Sequence, residues 1–274
     1  FFSVLVALVL PVLPRVPIGR EPFDAASQFK IGMMVLFFLV LSFLGYVLIN
    51  IVVPSSGIGL TVVLGGLVSS TAVTLTMSER SKHSAGLLRA LAMAVLLAWT
   101  IMYGRVLIEV GVVNSDLLRD VIIPIGVGGL FTAAWALFIS MRRNDVGDSD
   151  HGEERFSNPF SLGPAIQFGL LYGAVLIGSK ALSMWLGDAG VYAGALASGV
   201  ADVDAITLSM AELSRDDGEL SNSTAANAIV LAAASNTVVK GALVWTIGTS
   251  SMRRLVIPAA VGAVITSVVL TFVT

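Results

Sequence analysis

The sequence holds no cysteine, only two histidines and few charges: 12% of its 274 residues are Asp, Glu, Lys or Arg. Without cysteine there are no disulfides and no thiolate metal sites. His83 and His151 both stand in polar connections, where a solvated ring is the ordinary state. No basic patch or nucleic-acid motif is present, and a net charge of −2 selects no partner. A soluble domain carries about twice this share of charge. With 56% hydrophobic residues, the chain needs lipid as its solvent.

Apolar runs of about 20 residues recur along the chain, the length a helix needs to cross the hydrocarbon layer. Backbone groups in lipid must pair internally, so helices or a closed barrel are the choices. Long runs, rather than short alternations, select helices. The expected spans are 28–53, 57–78, 87–110, 118–141, 164–186, 189–211, 224–247 and 254–273. The apolar start, residues 1–23, reads as the end of a preceding membrane helix and its loop. Between the two sets of spans lies a charged stretch, 144–160, the signature of an exposed cytoplasmic linker. The fold class is therefore an all-α polytopic membrane protein. Its expected parts are one membrane repeat over 24–143 and a second over 161–274.

The repeats rest on two matching phrases. "GGLVSSTAVTLTMSE" runs from Gly65 to Glu79, and "SGVADVDAITLSMAE" from Ser198 to Glu212. "VIIPIGVGG" from Val121 likewise matches "LVIPAAVGA" from Leu255. The offset stays near 134 residues at both places, which is the mark of internal duplication. Lys and Arg in the connections set orientation. In this eight-span scheme Arg15, Arg20, Lys30, Arg80, Lys82, Arg89, Arg142, Arg143, Arg155 and Arg215 share the cytoplasmic side. Arg119, Arg253 and Arg254 fall opposite, and the repeats are parallel. A re-entrant hairpin or interrupted helix at the phrase would invert them.

The phrases carry the candidate chemistry. Gly66 and Gly199 open them among small residues, as a helix-packing seam or a helix interruption requires. Asp202 and Asp204 stand inside an apolar span, where a carboxylate must pair, protonate or face water. On an ideal helix the two point nearly opposite ways, so a local unwinding near Gly199 is needed to bring both to one cavity. Thr207 shares a face with Asp204, as Thr74 does with Thr71. With Ser69, Ser70 and Asn236 these supply the oxygens that hard cations prefer, Asp202 and Asp204 being the metal-ligating carboxylates. Lys240 is the expected charge partner of an aspartate; Arg105 and Glu109, one turn apart, are expected to neutralise each other. Lys180 is expected to snorkel to the interface, and Glu79 and Glu212 to be solvated caps.

"GLVSSTAVTL" followed by "RVLIEV", then "GVADVDAITLSMAE" followed by "SNTVVK", resembles the DUF4010 membrane family of bacteria and archaea. The resemblance covers the chain from about Phe23 onward. It implies a multi-pass cell-membrane protein that often follows an MgtC/SapB-like membrane domain, and by that association a link to magnesium homeostasis. The expected function is a transporter or channel for an inorganic cation, divalent such as magnesium slightly favoured. Its site is expected at the repeat interface near the bilayer midplane. The alternative is a regulatory or scaffold module acting on another membrane protein. No His or Cys lies near the polar cluster and no nucleophile motif is present, so an enzyme is not expected. No cofactor is expected. Expected partners are the cation, membrane lipid, a preceding MgtC-like domain and a second copy of the chain, with no nucleic acid.

Overall fold

The computed structural model describes residues 12–16, 19, 27–37, 39–40, 69–141, 162–215, 220–271 and 273. The beginning of the chain, most of the first two expected spans with Gly66, and the 144–160 linker lie outside them.

The described elements are helices. They are α1 (Gln28–Phe37), α2 (Ser70–Arg80), α3 (Leu88–Val113), α4 (Leu118–Met141), α5 (Leu162–Ala201), α6 (Val203–Leu213), α7 (Asn222–Ile247) and α8 (Ser250–Thr271). Five are long and apolar enough to cross a membrane: α3, α4, the 166–201 stretch of α5, α7 and α8. The chain is a multi-pass membrane protein. Exposed Leu130, Leu137, Leu170 and Ile265 mark faces that lipid can solvate.

Helix α5 is not a rod. Gly187 sits at φ 59°, a left-handed conformation open to glycine. Beyond it the chain doubles back. A Cβ on Gly194 would lie 3.0 Å from Leu182 Cδ1, and one on Gly190 would meet the Leu182 carbonyl. In an uninterrupted helix Gly194 and Leu182 would be about 18 Å apart. The two legs, 162–186 and 188–201, therefore form a helical hairpin.

The second leg ends at Asp202 and the chain reverses again. Along this leg Asn227 Nδ2 donates to Tyr192 Oη (3.2 Å), and Asn236 Nδ2 donates to the Gly199 carbonyl (2.8 Å), so leg and α7 run in one direction. Helix α6 then returns. Its last residue, Leu213, accepts a backbone bond from Leu220 (3.1 Å), two residues before α7 begins. Had α6 run straight on, that end would lie more than 30 Å away. The leg and α6 are a re-entrant hairpin with its tip at Asp202. The expected single span 189–211 is thus corrected: its apolar length is right, but the chain turns back at Asp202.

The molecule divides into two compact units. The first holds 1–43, 106–122 and 158–236; the second holds 44–105, 123–157 and 237–274. In the first, Asn114 Nδ2 donates to Ser214 Oγ (3.1 Å), so the α3–α4 turn and the end of α6 share one end. In the second, the Thr249 amide donates to Ser81 Oγ (3.1 Å), so the α7–α8 turn and the end of α2 share one end. Both bonds correct the parallel orientation. Arg119 and Arg215 belong together, as do Lys82 and Arg253, where opposite sides were expected.

Apolar side chains fill each unit. In the second, Val73 and Met77 of α2 pack with Leu91, Val95 and Trp99 of α3 and Met252 and Val256 of α8. In the first, α7 presents buried Ala225, Ala228, Ala232 and Ala233, and this small-residue face lets helices approach closely.

Candidate functional site

Each matching phrase contains a helix start at the same place. Ser69 is the N-cap of α2, extended at φ −160°, and its hydroxyl accepts from the Ala72 amide (3.2 Å). Asp202 occupies the same place before α6, also at φ −160°. Its Oδ1 accepts from the amides of Asp204 (2.7 Å) and Ala205 (3.0 Å). Such caps satisfy amides that have no partner inside the helix, worth about 1 kcal/mol each. A carboxylate there also complements the positive end of the helix dipole.

The break at Asp202 has consequences upstream. In a continuous helix the Gly199 carbonyl would accept from the amide four residues on. The break removes that donor, and the Asn236 amide group takes its place. This orients Asn236: its nitrogen faces Gly199, leaving Oδ1 buried without a hydrogen-bond partner among the described residues. A Cβ on Gly199 would strike the backbone of Ala232, with Ala232 Cα only 2.8 Å away. Glycine is therefore required here by close approach. The expected unwinding at Gly199 occurs three residues later, where Asp202 supplies the cap.

Asp204 is completely buried in the first turn of α6. Thr207, one turn on, is also completely buried, and its Oγ1 has no hydrogen-bond partner among the described residues. The contrast with α2 is direct. Thr74 matches Thr207 in the phrase, yet its hydroxyl donates to the Ser70 carbonyl (2.7 Å) and accepts from Trp99 Nε1 (2.9 Å). The matching stretch of α7 carries Ala232 and Ala233, which offer no side-chain donor.

At the start of α2, Lys240 Nζ donates to Ser70 Oγ (2.6 Å) and lies 2.8 Å from Met102 Sδ. Lys240 and Ser70 are both buried. Thr71 is exposed, which corrects its placement among the buried oxygens: only Thr74 of that pair turns inward. Asp202 likewise has a capping task, distinct from that of Asp204. On α3, Glu109 is buried and Arg105 is half-buried. Lys180 is buried rather than snorkelled. Glu79 is exposed and pairs with Lys82 (3.2 Å). Glu212 is not a solvated cap: its side chain is 11% exposed and pairs with Lys30 (2.7 Å).

Sequence reasoning missed Trp99, Met102 and Tyr103. A signal existed for Tyr103: it stands 134 residues before Thr237, the repeat offset, and their hydroxyls meet at 3.0 Å. Among the described residues no three His, Cys, Asp or Glu gather where they could hold a metal ion.

Residues 35–248 match the family described as Domain of unknown function (DUF4010). An uncharacterized protein of Aquifex aeolicus (strain VF5) is 31% identical over 194 residues, covering 71% of this chain and 84% of the relative. No solved structure matches. The matched region spans most of the sequence, and the chain belongs to the DUF4010 family.

Proposed function

We propose that this protein moves an inorganic cation across the membrane, as a transporter or channel, and that the α6 helix start is where the cation is held. The observation that carries this is Thr207: a completely buried hydroxyl with no hydrogen-bond partner among the described residues, one turn from a completely buried carboxylate. Buried polar atoms are normally paired, and an exception at an interrupted membrane helix marks a place for a ligand. Asp204 supplies charge, while Thr207 Oγ1 and Asn236 Oδ1 supply neutral oxygens.

The duplication has inverted topology in this proposal. In the second unit α3 and α7 run antiparallel and bring Tyr103 to Thr237, the residue one repeat offset away, which supports inverted repeats. In the second unit the end bearing Arg80, Lys82, Arg89, Arg253 and Arg254 is the cytoplasmic one in a bacterial or archaeal cell membrane, by its excess of Lys and Arg.

Purified protein in liposomes should support cation flux, screened over mono- and divalent ions. Asp204→Asn should abolish it while the protein stays folded. Undiminished flux in that variant, or no flux of any cation, would overturn the proposal.

A further inference from the structure

We infer that the basic end of the second unit holds the phosphate headgroup of an anionic membrane lipid, at Trp245, Arg253 and Arg254. This site is separate from the cation proposed above and does not depend on it.

Position comes first. Helix α7 has 26 residues, about 39 Å at 1.5 Å per residue against roughly 30 Å of hydrocarbon. Its last turn has the length to reach the headgroup layer, and Trp245 stands in that turn, 58% exposed. An exposed indole at the end of a spanning helix suits a membrane boundary, with its apolar body in lipid and its N–H in water. The α7–α8 turn is tied to the end of α2 by the Thr249 amide on Ser81 Oγ (3.1 Å). Trp135 Nε1 donates to the Leu255 carbonyl (2.9 Å), so the end of α4 lies here too.

Charge comes second. Arg80, Lys82, Arg89, Arg253 and Arg254 stand at this end. Among the described residues of the second unit the one carboxylate is Glu79, and Lys82 pairs with it (3.2 Å). Arg80 and Arg89 have interactions of their own and are not counted in the site. Arg254 is exposed and meets no acid among the described residues.

Geometry comes third. The Arg253 guanidinium lies over the Trp245 ring, 5.5 Å from its centroid, and its Nε donates to the Gly248 carbonyl (3.2 Å). The two contacts fix the plane of the guanidinium beside the indole. Its terminal amino groups have no partner among the described residues. A planar fork held in this way matches two oxygens of a phosphate. Arg254, the next residue of α8, adds a second charge at the same rim. Basic groups at the cytoplasmic ends of membrane helices bind lipid headgroups by this chemistry.

One competitor lies in the chain itself. The sequence after α4 carries Asp145, Asp148, Asp150, Glu153 and Glu154. A carboxylate-rich strand satisfies the arginines but offers the exposed indole no apolar surface. An anionic lipid satisfies both.

The test is the melting temperature of the full chain in detergent, titrated with phosphatidylglycerol or phosphatidylcholine. Phosphatidylglycerol should raise it saturably and phosphatidylcholine should not. Arg253→Gln and Arg254→Gln should each raise the half-saturating phosphatidylglycerol concentration about fivefold or more, the worth of one cation at a membrane surface. Trp245→Leu should shift it in the same direction. Arg119→Gln, exposed in the other unit, should leave it unchanged. Arg254 has no acid partner to lose, so Arg254→Gln should melt as wild type does in phosphatidylcholine. Equal stabilisation by the two lipids, or an unchanged phosphatidylglycerol response in Arg254→Gln, would overturn the inference. Equal stabilisation by glycerol phosphate would reassign the site to a soluble anion. A phosphatidylglycerol response that appears only after the five linker carboxylates are changed to amides would give the arginines to the linker, and would overturn it as well.

Discussion

Tyr103 Oη and Thr237 Oγ1 meet at 3.0 Å, although 134 residues separate them. That separation is the offset between the matching phrases, and in the second unit the two stand on helices that run in opposite directions.

The ends shared within each unit predict a labelling pattern. The chain has no cysteine, so single cysteines can be introduced cleanly. Arg119→Cys and Arg215→Cys should react with an impermeant maleimide from the same side. Lys82→Cys and Arg254→Cys should likewise react from one common side. Labelling of Arg119→Cys and Arg215→Cys from opposite sides would restore the parallel scheme.

The contact between Gly199 and Ala232 predicts steep intolerance. Gly199→Ala forces a methyl into backbone and should lower the melting temperature and expression sharply. Asn236→Leu strands the Gly199 carbonyl and should cost about 1–3 kcal/mol, read from unfolding in detergent. A Gly199→Ala variant as stable as wild type would show that the second leg of α5 and α7 have room to separate.

Thr74 and Trp99 form a structural pair. Thr74→Val leaves the Trp99 indole N–H without its acceptor and should destabilise the protein by about 1–3 kcal/mol. Combining it with Trp99→Phe should cost less than the sum of the two single changes. Additive losses would mean that the hydrogen bond contributes little.

Much of this fold is legible in the sequence because hydropathy and repeat spacing survive without coordinates. The helices, both phrases, the buried aspartate and the Gly199 contact all follow from residue type and position. Direction does not. The second leg of α5 and helix α6 together have the apolar length of one crossing, and hydropathy registers length rather than the reversal at Asp202. Nor is the capping role of Asp202 separable from the burial of Asp204, since both are aspartates two residues apart. Thr71 and Thr74 share a helical face in sequence, yet only tertiary packing decides that Thr71 is exposed and Thr74 meets Trp99. The partner of Lys30 lies 182 residues away, beyond any local pattern.

The central claim is that Asp204 carries the ion and Asp202 shapes the helix. Cation flux into liposomes, measured side by side for wild type, Asp202→Ser and Asp204→Asn, tests it most directly. Serine keeps a capping oxygen, so Asp202→Ser should retain most of the flux. Asp204→Asn keeps size but loses charge, and should be folded and inactive. Equal flux in Asp204→Asn and wild type, or loss in Asp202→Ser alone, would contradict the account.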